Sequence, residues 1–479
     1  MKNNEENEEE CDTLNDRKAN DSLPCPLDLK EDKEGGELID ELESDFKEST
    51  CSMKEGSIQG SVFTLSSLAL GTGAFALPIR CIQIGCFWLS LSIIIVAFIT
   101  FWVLSNLIKS ARTVHGEEYS TSVKRIIGKI PAILIDIILM LYLFGVIIQF
   151  NVIIYSLIGR SVYEFFIDKE QYADFSLYNQ GKWSSISLKY PIMFGLSILL
   201  IPLCLLKDIS KMRFASMLGI CSLCYTILVI IIESPWFYLD YRNNKYKKDE
   251  PKTHANWFDI TQGFTSELNF FTSIATVFFI FACHQGAFPV YKSLKFNNEK
   301  RINKVFFRSI CLVLIIYLFV AICGFMTDPL SEEPLIIFRK SIFKNDIFMN
   351  IAKIALALDL YLSIPANYNS FRASFFLLVF NTDKIDTWRN IFVTVPFLLL
   401  TTFIGAIFED ILSYISLLGG FCCSIICFII PGCLMIATSK EKVFSLKTIL
   451  RLIVFGVLGI IGFSAAVLTV IKMTTKKNK

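Results

Sequence analysis

The sequence predicts an all-α polytopic membrane protein of about 11 transmembrane helices, arranged as a 5+5 inverted repeat with broken first and sixth helices. Three observations carry this. Hydrophobic residues make up 53% of the 479 positions, 43 of them Phe, charged residues only 19%, and mean hydropathy is +0.53. Apolar runs close to the ~20 residues that cross a bilayer recur along the chain. Two of those runs, five apart, are interrupted by Gly and Pro, at Gly71–Pro78 and at Phe281–Pro289.

The net charge of +2 conceals a division. Residues 1–50 hold 18 acids against 6 bases and few aromatics, the composition of a disordered, cytosolic acidic tail. No apolar stretch follows Met1, so the first span is expected to act as an uncleaved signal. Residues 51–479 form the transmembrane domain, whose basic excess lies in short loops, where it orients the chain and binds no nucleic acid. Most of the 15 cysteines sit in apolar runs and behave as small hydrophobes, so no structural disulfide is expected. Cys221 and Cys224 have CxxC spacing without a second pair or a nearby His, which argues against a metal site.

Span one runs from about Ser57 to Gln83 and span two from Cys86 to Ser110. Span three covers about Pro131 to Ile158 and carries Asp136, Gln149 and Asn151. Spans four and five, about Tyr190 to Leu206 and Phe214 to Ser234, follow a long polar loop, and a second such loop precedes span six at Ser266 to Tyr291. Spans seven to eleven lie near Val305 to Met326, Asp346 to Phe380, Ile391 to Phe408, Ile411 to Met435 and Leu446 to Met473. Compact basic links after the even spans (Lys124/Arg125, Lys207/Arg213, Lys300/Arg301, Lys384/Arg389, Lys440/Lys442) place the amino terminus in the cytosol. The basic end Lys476-Lys477-Asn478-Lys479 would then lie outside, against that rule.

Gly and Pro are costly inside a membrane helix, because a freed backbone group has no water to turn to. Matching breaks in two halves point to a transporter with its site between them at mid-membrane. Where a helix unwinds, one half ends in unpaired carbonyls and the next begins with unpaired amides. The amides of Gly73, Ala74 and Phe75 suit a carboxylate. Carbonyls near Gly71 and in Cys283–Gln285 suit an ammonium. An amino acid carries both groups side by side, so the substrate-binding set is Gly71, Thr72, Gly73, Ala74, Phe75, Cys283, His284 and Gln285.

The run from Ser61 to Gly73 closing on Leu77-Pro78, the stretch Phe281-Ala282-Cys283-His284 with Pro289-Val290-Tyr291, and Leu362-Ser363-Ile364-Pro365 followed by Phe371-Arg372 resemble, in that order, signatures of the amino acid/auxin permease family. Gly419-Gly420 and Pro431-Gly432 are similar too. The motifs are closest to the sodium-coupled neutral amino acid transporter branch, and the likeness covers roughly residues 55–475. It implies LeuT-type architecture and secondary active transport of amino acids, neutral or cationic, by alternating access, in a monomer embedded in the lipid bilayer without cofactor or resident metal. In that branch an Asn of span one and a Ser or Thr of span eight are associated with the cation. Those positions fall here on Ser67 and on or near Ser363, so an amide oxygen is lost and H+ stands beside Na+ as the coupling ion.

Asp359 lies one helical turn before Ser363 on the same face, and a carboxyl at that depth can carry a proton, ligate a cation or join helices. Ser67, Asp359 and Ser363 form the expected coupling set. His284 is a candidate proton carrier, or bonds freed backbone. Asp136 and Glu233 are expected at solvated span ends, and Gln149 and Asn151 as links between helices. Two other classes stand as alternatives: an amino acid sensor signalling through the acidic tail, and a membrane-embedded acyltransferase-like enzyme using His284. The sequence leaves plasma membrane and vacuolar or lysosomal-type membrane equally open.

Overall fold

The computed structural model of the chain describes residues 57–116, 118–166, 189–205, 213–240, 267–294, 298–327, 333–339, 346–380, 386–407, 410–439 and 445–477. The acidic tail and most of the long polar loops lie outside these residues. Among the described residues every regular element is helical. Nine helices are long and apolar enough to cross a membrane, and a bent pair, Ile58–Ala69 with Thr72–Ile84 at 49°, makes a tenth. A shorter apolar helix, Ile192–Leu205, stands where span four was expected. The count of eleven therefore rests on a helix one turn too short for the same standard.

In chain order the first span is α1 (Ile58–Ala69), a 3-10 turn (Thr72–Ala76) and α2 (Leu77–Ile84). Gly85, with φ 86°, then turns the chain directly into α3 (Cys86–Thr113), a conformation side chains with a Cβ rarely adopt. A short helix α4 (Tyr119–Ile126) follows where only a polar linker was expected. Its buried face, Tyr119, Ser122 and Val123, has helical spacing, and the Tyr119 hydroxyl donates to the Ile426 carbonyl at 2.6 Å. Burial pushes that hydroxyl well above its usual titration range.

Spans three, four and five are α5 (Lys129–Phe166), α6 (Lys189–Leu205) and α7 (Arg213–Asp240). Span six is α8 (Glu267–Ile280), a 3-10 turn (His284–Gly286) and α9 (Ala287–Ser293). Then come α10 (Glu299–Thr327), α11 (Ile347–Phe375) and α12 (Thr387–Ile407). Span ten begins as α13 (Ile411–Leu417), widens into π-helical turns over Leu418–Cys423 and Ile425–Ile429, and ends as α14 (Ile430–Ala437). The last span is α15 (Leu446–Lys477).

Helices five spans apart pack on one another: α2 on α8, α3 on α10, α5 on α11 and α6 on α12. In an inverted repeat of five helices these are the pairs that the pseudo-two-fold axis relates. The π-helical widening has a local cause. A Cβ at Gly419 would strike the Ala275 carbonyl, and one at Gly420 would lie 2.7 Å from the Gly462 carbonyl, so span ten touches α8 and α15 backbone to backbone. Large apolar side chains such as Phe98, Phe348, Phe392 and Ile460 point outward, as lipid contact requires.

The segment 333–339, between spans seven and eight, is a strap. Leu335, Ile336, Ile337 and Phe338 are all buried and join one apolar cluster with Phe75 and Ala76. Arg160 at the end of α5 grips Glu333 with two hydrogen bonds, 3.0 and 2.8 Å, and donates to the Phe338 carbonyl at 3.0 Å. Arg339 pairs with Glu233 and lies 3.9 Å from the centre of the Phe237 ring. Glu233 is thus no solvated span end, contrary to the sequence expectation: it is 7% exposed and ion-paired. Asp136 is half-buried and accepts a hydrogen bond from Ser120 at 2.7 Å.

Candidate functional site

The two breaks meet. A Cβ at Gly73 would lie 2.9 Å from both Ile280 Cγ2 and Phe279 Cδ1, so only a residue without one lets the first break approach the end of α8 so closely. One phenol ties them together: the Tyr317 hydroxyl, on α10, stands 2.6 Å from the Ala69 carbonyl and 2.8 Å from the Ile280 carbonyl. These are the terminal carbonyls of α1 and α8. A hydroxyl has one proton, so it satisfies them alternately or by sharing. Tyr317 is fully buried, with its ring edge-on to Phe281 at 5.3 Å. Sequence reasoning missed it, because a Tyr in an apolar span looks like any other aromatic; only its position against two broken ends marks it.

Around the first break Thr72, Gly73, Ala74 and Phe75 are buried and Gly71 is exposed, with nothing within 4 Å of where its Cβ would be. Ala74 N–H already donates to the Gly71 carbonyl at 3.1 Å, and Phe75 lies inside the 3-10 turn. A 3-10 turn that starts at Thr72 offers the Thr72 and Gly73 amides no acceptor within it, so the open amides begin one position earlier than expected. In the second break Cys283 N–H donates to Phe281 O at 2.8 Å and Gly286 N–H to Cys283 O at 3.0 Å. The Gly71 and Cys283 carbonyls each accept one turn bond and keep a second lone pair. Gln285 is half-buried. His284 is fully buried beside the Cys427 thiol, and its ring lies edge-on to Phe428 at 6.3 Å.

The coupling set is less concentrated. Ser363 Oγ donates to Asp359 Oδ1 at 3.4 Å, and Asp359 is buried against α7, where a Cβ on Gly219 would collide with its carboxylate. Ser67 is half-exposed and donates to the Thr64 carbonyl of its own helix at 2.8 Å. So Asp359 and Ser363 are brought together and Ser67 bonds locally.

A second residue missed from sequence is Arg80. It is 2% exposed, yet every nitrogen is engaged: Nε donates to Thr276 Oγ1 at 2.9 Å, Nη1 to Gln83 Oε1 at 2.7 Å, and Nη2 to Ser416 Oγ at 2.6 Å, with longer contacts to Thr272 Oγ1 and the Leu412 carbonyl. It therefore binds α2 to α8 and α13 on the face where the strap lies. The hydroxyls of Thr272, Thr276 and Ser416 also bond carbonyls of their own helices, so they stay satisfied without Arg80. Arg80→Gln is accordingly expected to cost about 2 kcal/mol, the net worth of a charged hydrogen bond, read as a lowered Tm of the purified protein.

The residues from 54 to 475 match a family model described as transmembrane amino acid transporter protein. The chain belongs to that family. Sodium-coupled neutral amino acid transporter 7 of Xenopus laevis is 24% identical over 402 residues, covering 81% of this chain and 82% of its own length. The Homo sapiens protein of the same name is 23% identical over 394 residues, covering 80% and 79%. Among solved structures, MhsT in complex with L-phenylalanine matches with a TM-score of 0.55 at 13% identity, over 86% of this chain and 97% of that one. That likeness shows the LeuT-type fold. The protein is a multi-pass membrane transporter that moves amino acids by secondary active transport, which sets aside the acyltransferase reading of His284.

Proposed function

We propose that the amino acid binds between the two breaks, its carboxylate on the Thr72 and Gly73 amides within Gly71–Phe75 and its ammonium on carbonyls of Gly71 and Cys283–Gln285. The observation that carries this is the direct contact of the two broken segments, with the Tyr317 hydroxyl spanning their carbonyl ends. Transport proceeds by alternating access. Arg80 and the strap 333–339 seal one face, while exposure at Gly71 supports a path from the other. With the amino terminus cytosolic, the sealed face is the outer or lumenal one. The substrates are neutral or cationic amino acids, a reading the names of the relatives support for neutral ones. The membrane is the plasma membrane or a vacuolar or lysosomal-type membrane.

Coupling to H+ or Na+ runs through Asp359 and Ser363, with Ser67 as the third member of the set. Uptake of labelled amino acids into proteoliposomes, at two pH values with and without sodium, tests site and ion together. Sodium dependence without pH dependence assigns Na+; the reverse assigns H+. Under H+ coupling Asp359→Asn is expected to flatten the pH profile, since an amide carries no titratable proton. An unchanged profile would remove Asp359 from that role.

A further inference from the structure

Tyr119 of α4 joins two parts of the molecule that are remote in sequence. Its hydroxyl donates to the Ile426 carbonyl at 2.6 Å, and its ring stacks on Phe288 of α9, with centres 5.6 Å apart and planes 26° from parallel. Both side chains are buried. Phe288 follows Gln285 by three residues, less than one helical turn beyond the second break.

The Ile426 carbonyl needs that hydroxyl for a reason written in span ten. In an α-helix it would receive the N–H of residue 430, but in the π-turn Ile425–Ile429 the Ile430 N–H bonds the Ile425 carbonyl instead. The π partner of Ile426 would then be residue 431, which is Pro and has no N–H. A carbonyl left open inside a membrane protein calls for another donor. Tyr119 supplies it.

α4 is fastened firmly enough to serve as a fixed support. Arg125 Nη1 donates to the Val114 and His115 carbonyls at 2.8 and 2.7 Å, which closes the link from α3. Ser120 Oγ donates to Asp136 Oδ2 on α5 at 2.7 Å. With its hydroxyl tied to span ten as well, the Tyr119 ring has one place to lie. α9, by contrast, is seven residues long, and a helix that short takes its position from what it packs against. Its neighbours are α1, itself part of a broken span, α3, and the Tyr119 ring.

We infer that Tyr119 is a positioning residue for transport: through Phe288 it holds the start of α9, and hence the backbone of Cys283–Gln285, in the register that receives the substrate's ammonium group. The inference rests on the amino acid lying between the breaks. It makes span ten the frame to which both broken spans are tied. Arg80 secures the second half of span one to the Leu412 carbonyl and the Ser416 hydroxyl, and Tyr119 secures the second half of span six to Ile426. Spans one and six run in opposite directions, so the two attachments lie towards opposite faces of the membrane. Ser416 and Ile426 are ten positions apart, about 15 Å along the span.

The test uses the full chain in proteoliposomes, with whichever labelled neutral amino acid of a panel gives the greatest uptake. Tyr119→Phe keeps the ring but unties it from span ten, so the receptive register is populated less. KM is expected to rise about fivefold, the worth of one net hydrogen bond. The rate at saturating substrate should hold, because bound substrate restores the register. Tm should fall, since the Ile426 carbonyl loses its donor. Adding Pro431→Ala to that variant returns an N–H to position 431, where it can pair with Ile426. Tm should then recover while KM stays high, because the ring is still untied. KM recovering together with Tm would show a purely structural role and overturn the inference. Phe288→Leu leaves the Tyr119 hydrogen bond in place and should raise KM to a similar degree. The double variant Tyr119→Phe with Phe288→Leu should be no worse than either alone, since both act on one contact. A wild-type KM in either single variant, with KM raised in Gly71→Ala, would overturn the role of Tyr119 and leave the site between the breaks standing. A wild-type KM in Gly71→Ala as well would overturn that site, and the inference with it.

Discussion

Gly73→Val is expected to abolish uptake while the protein still inserts into the membrane. The backbone there is not the obstacle, since Gly73 lacks the left-handed φ that only glycine tolerates. The obstacle is space: the first added carbon would already lie 2.9 Å from Ile280 Cγ2 and Phe279 Cδ1. Neither neighbour yields easily. Ile280 is buried and its carbonyl is held by Tyr317, and Phe279 rests on Tyr142. Overpacking a close-packed contact costs about 1–3 kcal/mol, and here relief comes only by separating the two breaks. Separation pulls the Ala69 and Ile280 carbonyls off their shared hydroxyl and destroys the geometry of the proposed substrate site. Gly71→Ala is the informative companion. Gly71 is extended, with φ −128° and ψ −179°, and a Cβ would meet nothing within 4 Å. Its methyl should leave Tm unchanged but intrude on the substrate, raising KM. Normal uptake by Gly73→Val would show that the two breaks need not touch.

The second large effect is expected at the strap. Glu233→Leu leaves the Arg339 guanidinium buried against Phe237 with its principal partner removed. Burial already lowers the pKa of Arg339, with the charges of Glu233 and Asp346 acting against it. Breaking a buried pair from one side costs about 3–5 kcal/mol. Asp346 retains part of the attraction, so the lower end, about 3 kcal/mol, is expected. Replacing both partners, Glu233→Leu with Arg339→Leu, should recover most of the lost Tm, because an apolar pair needs no counter-charge. Thermal unfolding of wild type, both single variants and the double variant gives the coupling directly. Strict additivity would mean the pair contributes nothing to holding the strap.

Much of the architecture was legible in the residues. Span positions follow from apolar runs, and the observed helices keep to them within a few residues at most boundaries, extending further where charged ends reach the interface, as at Glu299–Thr327. The paired interruptions at Gly71–Pro78 and Phe281–Pro289 could be read because Gly and Pro act locally on the backbone. The Asp359–Ser363 spacing is local too, since residues four apart share a helix face, whereas Ser67 is singled out by the family resemblance alone. The short helix α4 was not, since eight polar-looking residues carry too little periodicity until Tyr119 is seen docked on Ile426.

The sequence by itself determined where helices form, where two of them break and which family the chain resembles. These depend on hydrophobicity, helix propensity and motif, each a property of a short window. Tertiary structure alone decided what the breaks touch. Tyr317 lies 248 positions from Ala69, Arg80 lies 336 from Ser416, and Arg339 lies 106 from Glu233. No window contains both members of such a pair, and a buried polar group takes its meaning from its partner. Gly71 and Gly73, alike in sequence, separate for the same reason: one opens on empty space, and the other is where the two halves of the protein touch.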